Sequence, residues 1–140
     1  MEIATLVTWL LAALVGIYLL RTWLVNGGLR ARAADQSSRF KPILIFGHGG
    51  LAATGLLVWI AYLIVGAPLA WVGVLVLVPV AGLGFTMFGL WLRARGHARG
   101  RHAYGPRHAA EDNFPPPAVL THGFFAVATV LLALLTAATG

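Results

Sequence analysis

Residues 42–65 read PILIFGHGGLAATGLLVWIAYLIV, a run with no Asp, Glu, Lys or Arg. At about 1.5 Å of rise per residue, a helix of this length crosses the roughly 30 Å hydrocarbon core of a bilayer. Its opening proline suits a first helical turn, where the missing N–H costs nothing. Working outward, comparable stretches occupy residues 3–25, 69–92 and 117–138. Pro79 lies near the middle of the third and predicts a kink, and Pro115-Pro116 form a stop before the fourth. Continuous apolar runs, too few for a closed barrel, predict helices. The fold expected is therefore all-α: an integral membrane four-helix bundle, with residues 1–140 forming a single membrane domain.

The composition agrees. The 140 residues are 59% hydrophobic and 10% charged, against about 25% charged in a water-soluble domain. The spans leave no room for a soluble enzyme domain. The absence of cysteine excludes disulfides, thiol catalysis and iron-sulfur clusters. Glu2 and the lack of a basic segment before Ile3 predict a retained span rather than a cleaved signal peptide.

The charges are distributed as a topology signal. Arg21, Arg30, Arg32, Arg39 and Lys41 surround the connection at 26–41, and Arg93, Arg95, Arg99, Arg101 and Arg107 fill the one at 93–116. The connection Gly66-Ala67-Pro68 carries none. The positive-inside rule places both basic connections in the cytoplasm and both termini outside an inner or plasma membrane. The net charge of +6 then reflects orientation and contact with membrane lipids, not nucleic acid.

A weak repeat runs through the chain. Pro42, His48-Gly49 and Thr54 are echoed by Pro117, His122-Gly123 and Thr129, while Trp23 near the end of the first span is echoed by Trp91 near the end of the third. This pattern suggests two duplicated helical hairpins. His48 and His122 then lie at nearly the same depth, roughly 8 to 9 Å into their spans from the cytoplasmic side.

A histidine in an apolar span needs a partner and is a functional candidate by default. Two readings stand. In the first, His48 and His122 are metal ligands that hold the iron of a haem b from both faces. Gly49 and Gly123, with Gly47 and Gly50, leave room for the macrocycle, Phe46 and Phe125, with Phe88 and Phe124, wall it, and Arg39 and Lys41, with Arg30 or Arg93, meet its propionates. Met87 is a minor alternative ligand, and Tyr18, Thr22 and Thr86 are candidates to orient the imidazoles. In the second reading, each histidine hydrogen-bonds a backbone carbonyl, Thr121 or the other histidine and holds the bundle together. Trp59, Tyr62 and Trp71 at the outer ends, and Trp23 and Trp91 at the inner ends, are expected to form interfacial belts.

The connection 93–116 contains His97, His102 and His108 among its arginines, at a spacing unlike that of a zinc site. It reads as a surface excursion against anionic headgroups. No paired carboxylate lies inside the membrane, and no serine-histidine-acid set or phosphate-binding glycine motif is present, so a substrate-transforming enzyme is not expected.

In architecture and in His48 and His122, the chain resembles the small membrane-bound b-type cytochromes, including cytochrome b561-like proteins and respiratory anchor subunits. That resemblance implies one haem with His48 and His122 as axial ligands, and electron transfer to a quinone or a redox protein. The alternative is a non-catalytic structural or accessory subunit of a larger membrane complex. A homodimer is compatible with either, and transport would require an oligomer enclosing a polar pathway.

Overall fold

A computed structural model describes residues 1–29, 39–66, 68–100 and 109–139, the stretch 96–100 as backbone alone. Arg30, Arg32, Arg101, Arg107, His102, Tyr104 and His108 lie outside the described residues, as do the side chains of His97 and Arg99. Four helices account for most of the chain: α1 (Glu2–Val25), α2 (Pro42–Val65), α3 (Pro68–Gly100) and α4 (Pro116–Thr139), with a short 3-10 turn at Ala110–Asn113. All four are long and apolar enough to cross a membrane. The chain is an integral-membrane four-helix bundle.

The helix ends follow local chemistry. Pro42 stands at the start of α2, with Lys41 as its N-cap, where proline removes only an N–H that would have no partner in the helix. The same holds for Pro116 in α4, one residue earlier than the sequence reading placed it. α1 closes through Asn26 and the left-handed Gly27 (φ 84°). The chain then folds back so tightly that a Cβ on Gly28 would fall 2.1 Å from the Trp23 ring. α3 runs unbroken through Pro79 and continues past the apolar stretch to Gly100. Arginine and alanine are good helix formers, and the Arg95 guanidinium lies 4.9 Å over the Trp91 ring.

Helices pair across the repeat rather than within it. α1 packs chiefly along α4, and α2 along α3, while the α1/α2 and α3/α4 contacts are lighter. One constant offset relates Ala12, Gly16 and Trp23 on α1 to Val80, Gly84 and Trp91 on α3. A second relates Phe40, Pro42, His48, Trp59 and Tyr62 to Phe114, Pro116, His122, Ala133 and Thr136. Most equivalent pairs share an environment: Trp23 and Trp91 are buried, as are Trp59 and Ala133, Tyr62 and Thr136, and Phe40 and Phe114. Two interlocked hairpins of similar design thus build the bundle.

Two apolar clusters form the core. Trp9, Trp59, Tyr62, Ala70, Val74, Leu77 and Ala133 fill the end away from the basic connections. Trp23, Phe40, Trp91, Ala110 and Phe114 fill the basic end. The tryptophans depart from the expected belts: Trp23, Trp59 and Trp91 are core residues, and Trp71 alone of the proposed belt tryptophans is exposed. Aromatic rings near a helix end serve either the interface or an end-layer of core, and sequence position fixes only their depth. Ile3, Leu14, Ile43, Ile64, Leu75 and Phe124 point outward, as lipid-facing side chains do.

The basic end is tied by a polar latch. The Arg39 backbone N–H donates to Glu111 Oε1 at 2.6 Å, and its Nη1 donates to Asp112 Oδ1 at 2.9 Å. The Phe40 and Phe114 rings pack 5.9 Å apart beside it. Glu111 is fully buried, so this carboxylate joins the approach to α2 to the approach to α4.

Candidate functional site: the histidine pair

The two membrane histidines occupy the seventh position of their helices, six residues beyond Pro42 and Pro116. They meet inside the bundle, between the two aromatic clusters. Their ring centroids are 6.1 Å apart and their planes 70° from parallel, an edge-to-face contact.

Each ring is fastened to the neighbouring helix of its own pair. His48 on α2 donates from Nδ1 to the Val80 carbonyl of α3 at 3.0 Å. His122 on α4 donates from Nδ1 to the Ala12 carbonyl of α1 at 2.9 Å. A carbonyl oxygen only accepts, so Nδ1 carries the proton in both rings.

The local sequence explains how a helix carbonyl becomes available. A helical side chain leans back over the preceding turn and covers the backbone there. Four residues after Ala12 stands Gly16, and four after Val80 stands Gly84. Neither has a side chain to cover the carbonyl, and the imidazole takes that space. A Cβ on Gly16 would lie 3.1 Å from His122 Cε1, and one on Gly84 would lie 3.3 Å from His48 Cε1.

This arrangement overturns the haem reading. Both imidazoles are bound to backbone carbonyls, seated on glycines and in contact with each other, which makes them fasteners of the helix pairs. Among the described residues no group of three or more His, Asp or Glu side chains gathers to hold a metal. Haem b as cofactor, metal ligation by His48 and His122, and the electron-transfer function built on them are not borne out. The cytochrome resemblance is reduced to its architecture of four membrane-length helices.

The other singled-out residues are dispersed. Gly49 is exposed, and no side chain stands near a Cβ built on Gly49, Gly50 or Gly123. Phe46 is exposed and meets Trp23 edge-on at 6.4 Å, and Phe125 packs against Phe124 at 5.4 Å. Arg39 serves the latch, Lys41 is exposed at the start of α2, and Met87 packs on the basic-end core. Thr22 and Thr86 turn back on their own helices, Thr22 donating to the Tyr18 carbonyl and Thr86 to the Gly82 carbonyl. A cavity of about 440 Å³ at the end away from the basic connections and an apolar one of about 330 Å³ between α3 and α4 both lie away from the histidines.

Sequence reasoning missed Gly16, Gly84 and their carbonyl partners. The signal was present, since the Trp23/Trp91 correspondence carried seven residues back reaches Gly16 and Gly84. No family model, curated protein or solved structure matches the chain.

Proposed function

We propose that the chain is a non-catalytic structural or accessory subunit of a larger membrane assembly, with its basic connections on the cytoplasmic side and both termini outside. The observation that carries this reading is the pair of bonds from His48 to Val80 and from His122 to Ala12. They direct the polar groups of the membrane interior to holding helices together. The outward faces of all four helices are apolar, suited to lipid and to the helices of other subunits. The orientation rests on the ten basic residues around the two polar connections.

The test is purification from native membranes in mild detergent, followed by native electrophoresis and absorption spectroscopy. The account expects migration within an assembly larger than the chain's own oligomers, loss of that assembly when the chain is deleted, and superimposable oxidised and dithionite-reduced spectra. A chain that migrates alone and whose deletion leaves every membrane complex intact overturns the accessory reading.

A further inference from the structure

We infer that the cavity at the end of the bundle opposite the basic connections is a binding site for an organic ammonium group. The cavity, of about 440 Å³, is lined among others by Glu2, Tyr62, Val65, Trp71, Thr136 and Ala137. It lies where α2 and α4 end and where α1 and α3 begin. Among the described residues at this end, Glu2 is the one charged side chain, since residues 42–92 and 117–140 contain no Asp, Glu, Lys or Arg.

The carboxylate is held in position. Tyr62 donates its hydroxyl to Glu2 Oε1 at 2.7 Å, and the Trp59 indole N–H donates to the Glu2 backbone carbonyl at 3.3 Å. A carboxylate has about four acceptor positions, so one phenol leaves capacity for a cation. The last turn of α2, Leu63 to Val65, lines the same space, and the final carbonyls of a helix have no partner within it. Trp71, half exposed, also lines the cavity. Aromatic faces attract cations.

The chemistry selects among ligand classes. An anion would be repelled by Glu2. A hard metal ion needs several oxygen ligands, mostly charged or carbonyl, and Glu2 is a single carboxylate. An organic ammonium needs one anionic counter-group, aromatic neighbours and an apolar margin, and the lining supplies Glu2, then Tyr62 and Trp71, then Ile64, Val65 and Ala137. Such a group is carried by the zwitterionic headgroups of a bilayer leaflet and by free amphiphilic amines.

The experiment uses the full chain in a non-ionic detergent, titrated with choline and with its uncharged isostere 3,3-dimethylbutanol and read by calorimetry. The expected result is choline binding at least tenfold tighter than the isostere. Glu2→Gln, which keeps an acceptor for the Tyr62 hydroxyl, is expected to abolish that preference, and Trp71→Leu, at a half-exposed position outside the core, to weaken it severalfold. Adding phosphatidylcholine or phosphatidylglycerol then separates the sources. Displacement of choline by the former alone identifies a lipid headgroup as the ligand, and no displacement by either identifies a free amine. Equal affinity for choline and its isostere, or choline binding unchanged in both variants, overturns the inference.

Discussion

His48 and His122 meet edge to face inside the bundle, 6.1 Å apart, each donating a proton to a carbonyl of a different neighbouring helix. The contact therefore links four helices: α2 to α3 through one ring, α4 to α1 through the other, and the two pairs through the rings themselves. Histidine is costly in an apolar span unless satisfied, and here each ring has a carbonyl within hydrogen-bond distance.

The glycines beneath the rings are expected to be sensitive to any added side chain. Leucine at Gly16 or Gly84 must displace an imidazole that a Cβ alone already approaches to 3.1 or 3.3 Å, at a cost of about 1–3 kcal/mol. Gly49→Leu enters open space and is expected to carry only the gain in helix propensity. Unfolding midpoints in mixed micelles with increasing dodecyl sulfate check the contrast, which also cancels the common gain in helix propensity.

Replacing either histidine with leucine removes one interhelical bond without orphaning its acceptor, because a helix-interior carbonyl keeps its own backbone partner. Each single change is expected to cost on the order of 0.6–2 kcal/mol. The double variant is expected to be non-additive, since the rings are in contact. Strict additivity in the same unfolding assay would contradict the ring contact.

The latch at the basic end divides unequally between its two acids. Glu111 is fully buried and accepts from the Arg39 backbone N–H, whereas the Arg39–Asp112 ion pair is partly exposed. Glu111→Ala is expected to cost about 1–3 kcal/mol, and loss of the Asp112 ion pair roughly 0.2–1 kcal/mol. Amide hydrogen exchange at Arg39 reports the same difference: faster in Glu111→Ala, little changed in Asp112→Ala.

The proposed orientation predicts opposite labelling of two engineered cysteines in a chain that has none of its own. Val65 and Leu29 are both exposed, at 71% and 53%. In right-side-out vesicles an impermeant maleimide is expected to label Val65→Cys and to spare Leu29→Cys. The reverse pattern contradicts the orientation.

Hydropathy made the spans legible, because a bilayer imposes length and apolarity on any helix that crosses it. Depth was legible too, which is why His48 and His122 were expected at one level. Azimuth was not. Helices that are apolar all round carry little amphipathic signal to show which face turns inward, so the sequence points to Gly49 and Gly123 beside the rings, where the structure has Gly84 and Gly16. For the same reason Trp23, Trp59 and Trp91 were expected at the membrane interface instead of in the core. The Arg39–Glu111 latch depends on two distant connections meeting, and no local pattern announces it.

The most direct test of the histidine account is the nitrogen-15 spectrum of histidine-labelled protein in lipid bilayers. The account predicts that His48 and His122 both carry hydrogen on Nδ1 and a bare Nε2, with Nδ1 shifts displaced by the hydrogen bonds to Val80 and Ala12, and that His48→Leu and His122→Leu each remove one such signal. Nε2-protonated rings at both positions would contradict it.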